Sequence, residues 1–178
     1  MRRLLILRHA KSDWETGVDD HARPLAGRGR SAAARMGRFI AFAGPLPDVV
    51  VSSSAARTLE TARRAAGAGR WEDVPLHATD VLYGATPQTA LEVIRSLPDE
   101  AETALLVGHE PTLSELISAL AGGGSVIVVT GTLACLEFEA TVWREVDFGS
   151  GHLERLVSPR ALRGLKLKEA LERRRSKA

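Results

Sequence analysis

The chain has 178 residues, is 44% hydrophobic and carries a formal net charge of +2, which fits one domain with a core large enough to fold unaided. The single cysteine, Cys135, excludes an internal disulfide framework; between apolar neighbours it reads as a buried structural thiol and fits a reducing cytoplasm. No apolar run reaches membrane-spanning length, and Leu4-Leu5-Ile6-Leu7 passes straight into Arg8-His9 without the apolar region of a signal peptide.

The charge is uneven. Nine of the 24 Lys and Arg but only two of the 22 Asp and Glu lie in residues 155–178, leaving −5 upstream and +7 in the tail. Such a tail attracts acidic surfaces, but no aromatic side chain accompanies the charges as a stacking platform, so nucleic acid is not an expected partner, and neither is a membrane. The expected organisation is a domain over residues 1–160 followed by a basic tail over 161–178, helical or disordered.

In chain order, strand-length apolar runs occur at Leu4–Leu7, Val49–Val51 and Leu105–Val107, each followed by a polar motif and then a helical pattern. Ala32, Met36, Phe39, Ile40 and Ala43 define the first helix. Ser53 or Ser54 can cap a second, running through Leu59 to Ala66. Thr86-Pro87 starts another with Ala90, Leu91, Ile94 and Leu97 inward. Pro111 suits the first turn of a helix whose apolar face is Leu113, Leu116, Ile117 and Leu120. From Ser125 the texture changes: Val126–Val129, a Thr130-Gly131 turn and Leu133–Phe138 read as paired antiparallel strands, with Trp143–Val146 and His152–Val157 as further edge strands. The Gly122-Gly123-Gly124 run lacks the Lys-Ser/Thr of a phosphate-binding P-loop. The pattern predicts an α/β fold, a three-layer α/β/α sandwich on a mostly parallel sheet with antiparallel edge strands.

Ligands of open parallel sheets bind beyond the carboxyl ends of the strands. The residues just past the predicted strands are Arg8-His9, Arg57 and His109. Taken singly, each fits a surface charge, a helix cap or a hydrogen-bonded structural histidine. Delivered together from three strand ends, two arginines and two imidazoles suit a phosphate: guanidinium forks match phosphoryl oxygens, and imidazole is a nucleophile or donor near neutral pH. His21, His77 and His152 occupy loop or edge contexts without such partners and read as structural. No HExxH motif and no second cysteine is present, so neither a metal nor another cofactor is expected.

These residues resemble the histidine phosphatase superfamily. Leu7-Arg8-His9-Ala10-Lys11-Ser12 is similar to its Arg-His-Gly signature, and Leu25 to Gly29 after Arg23-Pro24 to its Pro-Leu…Gly stretch. Ser52-Ser53-Ser54-Ala55-Ala56-Arg57-Thr58-Leu59-Glu60-Thr61-Ala62 resembles its second block, and Val107-Gly108-His109-Glu110-Pro111 its second-histidine block. Arg-His-Ala-Lys-Ser-Asp-Trp, Leu82-Tyr83-Gly84-Ala85 and Gly151-His152-Leu153-Glu154-Arg155-Leu156 bring the chain nearest the small SixA-type phosphohistidine phosphatases. Ala10 replaces the signature glycine, which implies a backbone conformation open to any residue, and Glu110 stands where asparagine is common.

The resemblance implies a phosphatase that forms a phosphohistidine on His9 without metal, with Arg8, Arg57 and His109 stabilising the transferring group. Those three and Ser12 are the candidate substrate-binding residues. Asp80, three residues before Tyr83-Gly84, matches the position of the acid in the mutases of this superfamily and is the candidate general acid. The substrate implied is a small phosphomonoester or a protein phosphohistidine. A phosphoglycerate mutase is the alternative within the fold, disfavoured by the short chain and by Lys11 and Glu15. A non-catalytic phosphate-binding module is the alternative outside enzymes, disfavoured because a mere binder has little use for the His9 nucleophile.

Overall fold

The computed structural model describes residues 1–176. Six strands, β1 (Arg2–Arg8), β2 (Val49–Ser53), β3 (Leu76–Thr79), β4 (Thr103–Gly108), β5 (Leu133–Phe138) and β6 (Gly151–Val157), form one sheet in the order β3-β2-β4-β1-β5-β6. The four strands from β1 to β4 are parallel; β5 runs antiparallel to β1, and β6 antiparallel to β5. This is the expected α/β/α sandwich.

Both faces of the central strands are covered, which is why their sequences are continuous apolar runs rather than alternating ones. Leu4, Ile6, Ala104, Leu106, Ala134 and Leu136 face α3 (Pro87–Arg95) and α4 (Thr112–Leu120), packing with Leu91, Ile94, Leu113 and Leu116. Leu5, Leu7, Val50, Leu105 and Val107 face α1 (Gly27–Ala43) and α2 (Ala56–Gly69), packing with Met36, Ile40, Ala62 and Ala65. The two helices of that second layer approach closely at Gly37, where a Cβ would stand 1.9 Å from the Ala65 carbonyl oxygen. Thr86 caps α3 by accepting the Thr89 N–H, with Pro87 at the first turn.

Three expectations are corrected. Val126–Val129 is a connection and not a strand, because β5 pairs with β1 on one side and β6 on the other. The backbone of Val128 is used by side chains instead: its N–H donates to Ser114 Oγ and its carbonyl accepts from Arg8 Nη1. Trp143–Val146 is not an edge strand either. Trp143–Glu145 forms a 3₁₀ turn, with the indole buried and donating to the Ala101 carbonyl at 2.6 Å, and the Glu145 carboxylate accepting the Thr141 N–H. Neither Ser53 nor Ser54 caps α2, which starts after Ala55 without a side-chain cap; both hydroxyls are drawn into the site described below.

The basic tail is helical over α5 (Leu167–Arg175), which packs against α1. Leu162 and Leu167 are buried, Leu162 within the second core layer. Residues 177 and 178 lie outside the described residues. Among the described residues no helix is long and apolar enough to cross a membrane.

The contact at Gly37 gives a stability test. Gly37→Ala has to push α1 away from α2, and overpacking of this kind costs about 1–3 kcal/mol. Urea unfolding should show a lower midpoint at an unchanged slope; a midpoint equal to wild type would mean that the two helices are not held at this distance.

Candidate active site

The parallel strands bring their carboxyl ends to one edge of the sheet. Arg8 lies level with Gly108, Ser52 with Val107, and Ser53 with Thr79, so His9, His109, Ser53 and Asp80 all emerge at that edge. Five of the expected residues, Arg8, His9, Ser12, Arg57 and His109, line one cleft of about 250 Å³, joined by Arg23, Glu110 and Thr130.

His9 is buried, and its Nδ1 lies 2.8 Å from the carbonyl oxygen of Ala10. A carbonyl only accepts, so Nδ1 carries the proton and the lone pair is on Nε2. Burial, together with the charges of Arg57, Arg8 and Arg23, pushes the ring down to about 4 against the opposing pull of that carbonyl. The imidazole is therefore neutral at neutral pH. The loop that carries it is tied down: the Ala10 N–H donates to Thr61 Oγ1 at 3.0 Å, and the Thr61 hydroxyl donates to the Arg57 carbonyl. Ala10 is fully buried and has no positive φ, in keeping with its replacement of glycine. Gly29 explains the Pro-Leu…Gly stretch, because a Cβ there would stand 2.0 Å from the Lys11 carbonyl oxygen.

His109 packs against His9 with ring centroids 5.2 Å apart. Its Nε2 lies 2.8 Å from Ser53 Oγ, while Nδ1 is buried without a partner among the described residues. Burial first, and then the Arg57 charge, push this ring down to about 3 and hold His109 neutral at neutral pH. An anionic group set between the same arginines would counter those charges and raise it.

Arg57, in the first turn of α2, donates Nη1 to the Asp20 carbonyl and Nη2 to Asp20 Oδ2 at 2.9 Å. Asp20 Oδ1 accepts from Arg23 Nη2 at 2.6 Å, and Oδ2 also accepts the Tyr83 hydroxyl at 2.7 Å. These bonds from Arg23 and Tyr83 hold the Asp20 carboxyl well below the usual carboxylate range. Arg23 is buried, donates Nη1 to Ser12 Oγ, and stacks beneath Trp14 at 3.6 Å. Ser12 thus lies in the cleft wall with its hydroxyl engaged. The Nε atoms of Arg8, Arg23 and Arg57, like His109 Nδ1, are buried and unpaired among the described residues. So dense a surplus of donors around one cleft suits an anion.

Asp80 stands apart. It opens an exposed 3₁₀ turn over Asp80–Leu82, accepts the Ser54 hydroxyl, and does not line the cleft. Arg23, Asp20 and Tyr83 were not legible as site residues. Arg23-Pro24 was visible only as the start of a motif, and the Asp20 and Tyr83 contacts span 63 residues of sequence. His21 also has a partner after all, Ser54 Oγ at 2.8 Å from its Nε2. Cys135 is buried, with its thiol pushed up to about 12 by burial, as expected of a structural cysteine. Among the described residues no cluster of His, Cys, Asp and Glu is arranged to hold a metal ion.

An α/β/α sandwich with paired histidines and arginines at the carboxyl end of its sheet defines a phosphoryl-binding class of protein. The model of the histidine phosphatase superfamily (branch 1) matches residues 4–83, from β1 through the 3₁₀ turn to Tyr83. An uncharacterized protein of Mycobacterium tuberculosis is 41% identical over 115 residues, covering 65% of this chain and 70% of that one. Among solved structures, a Nakamurella multipartitia protein assigned as a phosphohistidine phosphatase SixA superposes with a TM-score of 0.78 at 28% identity, covering 89% of this chain and 96% of that one. An Agrobacterium tumefaciens protein assigned in the same way superposes with a TM-score of 0.74 at 27% identity, covering 89% and 98%. The chain belongs to the histidine phosphatase superfamily.

The neutral rings have a consequence for stability. Both histidines return to an ordinary value near 6.5 when the chain unfolds, so on acidification the unfolded state takes up protons first. Stability contributed by these rings is complete above that value. It is lost as pH falls from about 6.5 towards about 4 for His9 and about 3 for His109, by at most about 1.4 kcal/mol per pH unit for each ring. Urea unfolding followed across this range should show the decline, and His109→Gln should flatten it; an equally steep decline in the variant would refute the assignment.

Proposed function

We propose that this protein is a metal-independent phosphatase that transfers a phosphoryl group to His9 Nε2 and hydrolyses the resulting phosphohistidine, its substrate a protein phosphohistidine or a small phosphomonoester met in the cytoplasm. The observation that carries this reading is the Nδ1 contact of His9 with the Ala10 carbonyl, which leaves a neutral ring with its lone pair on Nε2 beside the arginines of the cleft. The relatives assigned as SixA phosphohistidine phosphatases favour phosphohistidine as the substrate class.

Phosphoryl transfer asks for an in-line nucleophile and preorganised positive charge around the equatorial oxygens. His9 supplies the first; Arg8 and Arg57 supply the second, with Arg23 behind them, and His109 joins them once the bound anion raises its ring into the protonated form. In the first step the Nε2 lone pair forms the N–P bond as the bond to the leaving group breaks and its electron pair departs with that group. In the second, water attacks phosphorus, the N–P electron pair returns to Nε2, and inorganic phosphate leaves. Loss of one such donor, as in Arg57→Ala, should lower turnover by roughly 10²–10³-fold.

His9→Ala should abolish turnover and prevent labelling of the protein by a phosphate donor. Wild type should carry a label that is lost in acid and kept in base; undiminished label in the variant would sink the covalent role. Turnover should also survive chelators, since arginines supply the charge. Activity lost with chelator and restored by Mg²⁺ or Zn²⁺ would show the metal-free mechanism to be wrong.

A further inference from the structure

The part of a substrate beyond the phosphoryl group has to leave the cleft past its rim, and the rim differs from the floor. His9, Ser12, Arg23, Arg57 and His109 are buried and polar, and they suit the phosphoryl end. Trp14 lines the same cleft yet is 70% exposed, and among the described residues it is the one large apolar side chain in the lining. The remaining rim, Lys11, Glu110 and Thr130, is half-buried and polar and offers no surface to a flat ring. A single exposed aromatic side chain is ordinary on a protein surface. This one is also held still.

The backbone leading to Trp14 is tied to the segment before α1. Ser12 pairs with Leu25, the Asp13 N–H donates to the Pro24 carbonyl at 2.9 Å, and the Ala26 N–H donates to the Lys11 carbonyl at 2.9 Å. The indole lies against the Arg23 guanidinium, whose central carbon is 3.6 Å from the ring centroid. Arg23 is itself pinned, donating Nη1 to Ser12 Oγ and Nη2 to Asp20 Oδ1. One face of the indole is therefore taken by a fixed cation, and its exposure belongs to the other.

We propose that Trp14 selects the leaving group: its free face is a platform for a planar ring bonded to the phosphoryl group, so the cleft prefers phosphoryl groups carried on imidazole or aryl rings to those carried on saturated groups. The proposal rests on the reading of the cleft as a phosphoryl site, and is independent of which atom attacks phosphorus. A platform already in place loses little freedom when substrate binds. Two aromatic faces in contact are favourable beyond the area they bury. A saturated ring is puckered and touches the indole with fewer atoms at the best distance. Trp14 makes and breaks no bond; it determines specificity and leaves the chemistry to His9.

The test begins with compounds that do not turn over. Phenylphosphonate and cyclohexylphosphonate carry the same anion on six-membered rings, one flat and one puckered, through a carbon–phosphorus bond that hydrolysis does not cleave. Titration calorimetry should show wild type binding the phenyl compound roughly 3–10-fold more tightly, the reach of one aromatic stack. Trp14→Leu should remove that ratio, and Trp14→Phe should keep most of it. In turnover, Trp14→Leu should lower kcat/KM on phenyl phosphate relative to cyclohexyl phosphate by a similar factor. A matching loss on phosphoimidazole assigns the ring to phosphorylated histidine as well, and a loss on phenyl phosphate without one assigns it to aryl esters; either supports the platform.

Equal affinity of wild type for the two phosphonates would overturn the proposal. So would a Trp14→Leu variant that weakens both in the same proportion, because the indole would then only pack on Arg23. His9→Ala should keep the phosphonate ratio, which separates the two readings. A wild type that discriminates between the phosphonates but takes no phosphate label strikes the nucleophile and leaves the platform standing. A wild type that binds neither phosphonate strikes the cleft as a phosphoryl site, and the proposal with it.

Discussion

The site depends on the burial of β1. With β4 on one side and β5 on the other, and with Leu4 and Ile6 facing one helical layer and Leu5 and Leu7 the other, this strand has no freedom to slide or turn over. Its end at Arg8 is therefore fixed in space, and His9 follows it directly. The partners of His9 are set by the same sheet, because parallel pairing puts Gly108 beside Arg8 and Ser52 beside Val107. A slip of one residue in β1 would turn Arg8 into the core and leave the cleft without its first arginine.

Burial acts twice, once on the fold and once on the chemistry. Desolvation and nearby guanidinium charge both disfavour protonated imidazole, and together they outweigh the Ala10 carbonyl that favours it. A ring in water near neutral pH would be partly protonated and have no lone pair to offer; this one keeps its lone pair. The arginines in turn would repel one another without a counter-charge, and Asp20 supplies it by binding Arg23 and Arg57 through separate oxygens. The anion that holds the two guanidinium groups comes from the loop between β1 and α1, so the loop following His9 also sets the spacing of the charges around it.

The central strands, the four helices that sandwich them and the core quartet Arg8, His9, Arg57 and His109 were legible because each rests on short-range pattern. A strand buried on both faces is a continuous apolar run, a helix repeats its apolar face, and the quartet follows strand ends within a few residues. Val126–Val129 was misread because an apolar run looks the same whether its backbone groups pair with a neighbouring strand or, as here, with Arg8 and Ser114. Trp143 was misread because a large apolar residue does not reveal that its indole N–H will be satisfied by Ala101, 42 residues away.

By itself, then, the sequence determined the class of fold, the family and the residues that can carry phosphoryl chemistry, since those depend on local periodicity and on which side chains can be nucleophiles or anion donors. Only the tertiary structure decided how each of those side chains is used. Which nitrogen of His9 holds the lone pair depends on the Ala10 carbonyl, and the protonation of His109 on burial beside Arg57. That Asp20 joins two arginines to Tyr83, and that Ser54 faces His21 and Asp80 instead of capping α2, depends on loops brought together from distant parts of the chain. Hydrogen-bond direction and desolvation are properties of neighbours in space, and the linear sequence does not contain them.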